Sequence, residues 1–182
     1  VAAAEIKEYA RETYRHNIPD PGEEFVFIEN VVGYDFKSLS RRFDGIDVVI
    51  GGPPCQAYSI AGRARDPKGM KEDPRNFLYK HYVKCLERYQ PKMFVFENVP
   101  GILSANNGEH LDKIFSAVQE IGYELQIPPK KFLNAKHFGA LQDRKRVIII
   151  GWKKELNLNY PFFEEKEPSF EISKHLFADL MN

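Results

Sequence analysis

The run Ile46-Asp47-Val48-Val49-Ile50, closed by Gly51-Gly52-Pro53-Pro54, most constrains what this chain can fold into. It is short, β-rich and does not alternate apolar with polar residues. A strand of that kind is covered on both faces, as in a parallel sheet, rather than solvated on one side. The glycine-proline turn after it fixes the backbone and holds the next side chain, Cys55, at the rim of such a sheet. A second run, Met93-Phe94-Val95-Phe96-Glu97, ends in a carboxylate and is followed by Asn98-Val99-Pro100-Gly101.

Between the two runs, Leu78, Tyr82, Cys85, Leu86 and Tyr89 fall on one face of a helix over Pro74 to Gln90. Strand, helix, strand makes a βαβ unit, so the two strands are expected to be parallel and adjacent. Ligands of open α/β sheets bind at the carboxyl ends of the strands, which puts Cys55 and Glu97 in one crevice. Leu111, Ile114, Phe115, Val118 and Ile121 predict a further amphipathic helix ended by Gly122. Phe25 to Ile28, Tyr123 to Ile127 and Arg146 to Ile150 read as further strands. Ile6, Tyr9, Ala10, Thr13 and Tyr14 predict an opening helix over Ala2 to Asn17, stopped by Pro19 and Pro21. The glycine- and proline-rich stretch from Gly51 to Asp73 reads as a long polar loop. After Trp152 the pattern dissolves into a surface connection leaving the core, with Glu164, Glu165 and Glu167.

The 182 residues and 43% hydrophobic content suit one α/β domain with a real core. Lys+Arg and Asp+Glu balance at 26 each, which neither supports nor excludes a nucleic-acid partner, and any basic surface must be local. The two cysteines, Cys55 and Cys85, have no metal or disulfide spacing, which predicts no metal and a reducing, cytoplasmic setting. Cys85 lies in an apolar helical stripe and reads as a core residue. No apolar run approaches the ~20 residues that span a bilayer, and no signal-peptide pattern opens the chain, so neither secretion nor a membrane partner is expected.

The chemistry rests on three constellations. Cys55 is a candidate nucleophile, because the thiolate is the reactive form and nearby guanidinium lowers a thiol's pKa from about 8.5. Glu97 must be shielded to donate a proton at neutral pH, and Phe94, Val95 and Phe96 are expected to supply that burial. Gln142-Asp143-Arg144-Lys145-Arg146 puts Arg144 and Arg146 on one side of the last strand if they alternate. A thiolate with a proton-donating carboxyl suits attack on an electron-poor conjugated ring. Hydrolysis by cysteine normally needs a histidine base, and of His81, His110 and His137 only His137 lies in a crevice position, without an orienting partner.

These residues resemble the cytosine-C5 DNA methyltransferase family, of the prokaryotic modification type, over nearly the whole chain. Gly51 to Gln56 with Ser59 is similar to its nucleophile motif, Phe96-Glu97-Asn98-Val99 to its ENV motif, and Gln142, Arg144 and Arg146 to its QxRxR motif. Asp73 to Leu78 and Ala4-Glu5-Ile6 match two more, and all five stand in the family's order. The resemblance implies a Rossmann-like methyltransferase fold with a mostly parallel sheet, S-adenosylmethionine as methyl donor (S-adenosylhomocysteine as product), no metal, and duplex DNA with a flipped cytosine as partner. It gives catalytic roles to Cys55, Glu97, Arg146, Arg144 and Gln142, and cofactor contacts to Glu5, Ile6, Asn30, Val31, Pro54 and Leu78. Asn30 stands where the family usually has Asp, and Leu141 where it commonly has Pro.

The glycine-rich motif before Glu5 and the target-recognition segment are not in the chain, which therefore reads as truncated at both ends. Residues 1–160 are expected to be the central part of the catalytic domain, and 161–182 a connection toward the recognition region. The piece alone is expected to be inactive, and the enzyme to be a monomeric restriction-modification methylase acting at the nucleoid. The alternatives are a tRNA cytosine-C5 methyltransferase on the same scaffold and a catalytically silent relative that binds DNA or a partner.

Overall fold

The computed structural model describes residues 1–18, 25–54 and 77–166. The chain runs through β1 (Ala2–Ala4), α1 (Glu8–Asn17), β2 (Val26–Ile28), β3 (Val48–Gly51), α2 (Tyr79–Tyr89), β4 (Met93–Asn98), α3 (Glu109–Glu120), β5 (Tyr123–Gln126), β6 (Leu133–Asn134) and β7 (Lys145–Lys153). The βαβ unit expected from the two apolar runs is present: β3 and β4 pair in parallel, with Ile50 opposite Val95 and Gly51 opposite Phe96.

The described strands of the main sheet lie in the order β3-β4-β7-β5, with β6 also on β7. β7 is antiparallel to β4, β5 and β6. Four strands therefore share one direction and β7 alone is reversed. The reversal needs no crossover helix, because the 135–144 loop folds β7 straight back onto β6.

The opening helix is shorter than its spacing predicts. Ala2–Ala4 form β1, paired in parallel with β2, and α1 starts only at Glu8. Alanine favours helix locally, but here the Val26 N–H donates to the Val1 carbonyl and the Glu5 N–H to the Ile28 carbonyl, each at 3.0 Å. Those ladder bonds outweigh a propensity of a few tenths of a kcal/mol per residue. Ile6 and Tyr9, expected on the buried stripe, are 64% and 69% exposed. α1 is held instead by Tyr14, whose ring meets Phe25 and Phe27.

The main hydrophobic cluster lies on one face of the main sheet, with Ile150 and Trp152 buried on the other. Phe94, Phe96 and Asn98 of β4 point into the cluster, against Leu86 of α2, Ile114 and Val118 of α3, Tyr123, Val147 and Ile149. Burying each large apolar side chain stabilises by about 1.5–3 kcal/mol. The packing is tight enough that a Cβ at Gly151 would fall 2.1 Å from the Phe94 ring. Residues 154–166 run along the surface, with Phe162 92% exposed. They are anchored there by Tyr160, whose hydroxyl donates to the Ile148 carbonyl at 2.8 Å and whose N–H donates to Gln126 Oε1 at 3.1 Å. No helix among the described residues is long and apolar enough to cross a membrane.

Candidate functional site

Three strand ends converge. Because Gly51 is opposite Phe96, the next residue, Gly52, comes beside Glu97. A Cβ at position 52 would lie 2.8 Å from Glu97 Oε2, so the carboxylate occupies the space that glycine leaves open. One residue further along β4, the buried Asn98 donates through Nδ2 to the Pro53 carbonyl at 3.2 Å, while its Oδ1 accepts from the Val99 N–H at 2.9 Å. Asn98 thereby fixes the turn that leads toward Cys55.

The third strand end is β7. Glu97 is opposite Ile148, so Arg146, two residues earlier on the same face, is its diagonal neighbour. Arg146 Nε lies 2.5 Å from Glu97 Oε1, with the two side chains 23% and 38% exposed. Arg146 Nη1 also donates to the Lys145 carbonyl at 2.7 Å, which holds the guanidinium.

The shielding expected around Glu97 is different in kind. Phe94 and Phe96 point into the core on the opposite face of β4, because side chains alternate along a strand. Val95 shares the face of Glu97, and the immediate surroundings of the carboxylate are Gly52 and the Arg146 guanidinium.

The remaining predicted residues separate. Arg144 and Gln142 are exposed in the loop before β7. The organiser of that loop is Asn134, which sequence reasoning missed. Its Oδ1 accepts from the N–H groups of Arg144 (3.1 Å) and Lys136 (3.2 Å), and its Nδ2 donates to Asp143 Oδ1 at 3.1 Å. His137 belongs to a surface cluster, with Nδ1 3.5 Å from Glu165 Oε2. Cys55 lies outside the described residues, as do Gln56, Ser59 and the stretch from Asp73 to Asn76. Pro54 is exposed at the end of its turn, and Leu78 is half-buried at the start of α2. Cys85 is part-buried on α2 rather than fully in the core, and that burial pushes its thiol up to about 11.

A second cluster occupies the carboxyl ends of β1 and β2. Ala4 is opposite Ile28, so Glu5 leaves β1 level with Glu29, and Asn30 follows one residue further along the neighbouring chain. Glu5 Oε1 accepts from the Lys7 N–H at 2.7 Å, and Asn30 Oδ1 accepts from the Val32 N–H at 2.9 Å. Arg11, also missed, ties the turn together by donating to the Glu5 and Ile6 carbonyls at 3.0 and 3.1 Å. These strand ends thus present a carboxylate, an amide and the exposed apolar side chain of Ile6 together. Among the described residues no group of three His, Cys, Asp or Glu could hold a metal ion.

The two clusters lie at strand ends of the two sheets, the place where α/β folds bind their ligands. The chain belongs to the C-5 cytosine-specific DNA methylase family, whose model matches residues 1–182. It is 42% identical over 147 residues to the Type II methyltransferase M.Bpa9945I of Bacillus paralicheniformis, covering 76% of this chain and 33% of that protein. It is 34% identical over 180 residues to M.HgiBI of Herpetosiphon aurantiacus, covering 99% and 38%. The chain thus spans between a third and two fifths of the length of these relatives. Among solved structures, a prophage-encoded E. coli protein assigned as a DNA modification methyltransferase superposes with a TM-score of 0.75 at 28% identity, over 97% of this chain and 47% of that one. The Entamoeba histolytica methyltransferase EhMeth shares the fold, with a TM-score of 0.66 at 20% identity, over 91% of this chain and 48% of that one.

Proposed function

We propose that this chain is the central part of the catalytic domain of an enzyme that methylates C5 of cytosine in duplex DNA, within a restriction-modification system. The observation that carries the reading is the Arg146–Glu97 pair set against Gly52, at the head of the turn leading to Cys55.

The roles follow from the chemistry of a pyrimidine. The Cys55 thiolate bonds to C6 of a cytosine flipped out of the helix, and the electron pair of the C5–C6 double bond moves toward N3, so that C5 becomes enamine-like. Glu97 holds the N3/N4 edge and stabilises the ring with a proton at N3. Arg146 binds O2 and keeps Glu97 oriented, with Arg144 near the phosphates and Gln142 in the same loop. S-adenosylmethionine, when bound, supplies the methyl group that C5 accepts. Loss of the C5 proton re-forms the double bond and expels the Cys55 thiolate. Glu5 would hold the ribose hydroxyls, Ile6 would pack on adenine, Asn30 and Val31 would meet its edge, and Pro54 and Leu78 would line the donor pocket. The protein's part is orientation and charge placement.

The Type II names of the relatives favour DNA over tRNA as substrate, and Cys55, Glu97 and Arg146 together favour an enzyme over a silent binding protein. A DNA substrate puts the monomeric enzyme in the cytoplasm, with residues 161–182 leading toward the recognition region. The test is transfer of tritiated methyl from the cofactor by the full-length protein to duplex DNA and to tRNA in parallel. Label at C5 of cytosine in DNA alone is expected, and label in tRNA alone would overturn the substrate assignment.

A further inference from the structure

Tyr82 stands on α2 beneath the junction of β3 and β4. Its hydroxyl lies 3.1 Å from the Val49 carbonyl and 2.9 Å from the Val95 carbonyl. Val49 is two residues before Gly51, and Val95 is two residues before Glu97. One phenolic proton is therefore shared between the two strands, just upstream of the glycine-proline turn on β3 and of Glu97 on β4. The ring edge seats on Gly51, where a Cβ would come 2.7 Å from Tyr82 Cε2, and it meets Phe94 and Phe96 edge-on.

The strand it holds is weakly held otherwise. β3 has four residues, and among the described residues it pairs with β4 alone. A slip of one residue would bring Gly51 or Pro53 beside Glu97 in place of Gly52 and turn every β3 side chain to the other face. The first slip shifts the turn toward Cys55 by one residue relative to Glu97, and the second sets Pro53 in the clearance that the carboxylate occupies.

We propose that Tyr82 is a positioning residue for methyl transfer: by bridging β3 to β4 and seating on Gly51, it sets the Gly52–Pro53 turn against Glu97. The inference rests on the function proposed above. Burial raises the Tyr82 phenol well above its ordinary value, with Cys85 and Tyr123 adding to it, so the group stays protonated and able to donate. The ring contacts supply stability and the hydroxyl supplies register, so the two are separable by substitution.

The test uses the full-length enzyme, duplex DNA carrying 5-fluorocytosine at the methylated position, and S-adenosylmethionine, with the rate of covalent adduct formation as readout. Tyr82→Phe keeps the ring and removes the donor; p-aminophenylalanine in place of Tyr82 keeps both. The expected result is a folded Tyr82→Phe protein whose dissociation constants for DNA and cofactor stay within about twofold, whose adduct rate falls at least about tenfold, and whose rate is restored by the amino analogue. An unchanged adduct rate, a loss explained by weaker binding, a failure to fold, or no rescue would overturn the proposal. Absence of adduct in the wild-type enzyme would instead overturn the function on which it rests.

Discussion

Replacing Gly52 by alanine separates folding from chemistry. The new Cβ would sit 2.8 Å from Glu97 Oε2 and 3.3 Å from the Glu97 carbonyl oxygen. The second contact is tight but tolerable with a small shift. The first is short by about half an ångström of an ordinary carbon-oxygen contact, and the atom that must yield is the end of a flexible side chain. Moving it disturbs the 2.5 Å contact with Arg146. That pair is part-exposed, so its loss costs on the order of 1 kcal/mol or less after screening. Gly52 is not in the left-handed region, and removing glycine from the unfolded chain returns about 0.4–1 kcal/mol. The two effects nearly cancel, so thermal unfolding of Gly52→Ala should fall within a few degrees of wild type. Methyl transfer depends on where the carboxylate sits, and a displacement of that size should slow it by about 10- to 100-fold. Calorimetry and single-turnover methylation on the same full-length preparation measure the two effects. Full activity in a folded variant, or unfolding with no folded enzyme to assay, would contradict a carboxylate placed by the clearance at Gly52.

Arg146→Lys keeps the charge but loses the fixed fork, and should reduce kcat by at least about tenfold while changing stability by less than about 1 kcal/mol, checked by steady-state kinetics and urea titration. Asn98→Ala removes the donor to Pro53 in a buried setting and should cost about 1–3 kcal/mol, read from the urea midpoint. Asn134→Ala should accelerate limited proteolysis in the 138–144 loop, with the β7 core still protected against hydrogen exchange. In a Cys55→Ala background, Cys85 should resist iodoacetamide at neutral pH and react as pH approaches 11. The same raised thiol makes a stabilising contribution that is complete below the unfolded value near 9 and is lost as pH rises from there toward 11.

The strands and helices that carry the site were legible because their signals are local. Two unalternated apolar runs around one amphipathic stripe imply parallel β3 and β4, and the register follows from packing. What was misread was decided by partners distant in sequence. Ala2–Ala4 favour a helix alone but meet the edge of β2, about two dozen residues away. β6 is two residues long, too short for any periodicity. The shielding assigned to Phe94 and Phe96 failed on strand alternation, which turns them from Glu97. The hydrogen-bonding roles of Tyr82, Asn98 and Asn134 were not legible, because nothing in their sequence neighbours marks the carbonyl or amide they reach. Glu97 and Arg146 were each legible as candidates because each stands next to the end of a readable strand, but their contact follows from the antiparallel register of β4 on β7.

In the proposed reaction Cys55 attacks C6 while Glu97 and Arg146 hold the base. Trapping on duplex DNA containing 5-fluorocytosine tests it directly, because fluorine at C5 leaves no proton to lose and the C6–sulfur bond persists. The full-length wild-type enzyme with cofactor should give a denaturant-resistant protein–DNA band that Cys55→Ala abolishes and Glu97→Gln slows. A band that survives in Cys55→Ala, or none in an enzyme that methylates the same site, would contradict it.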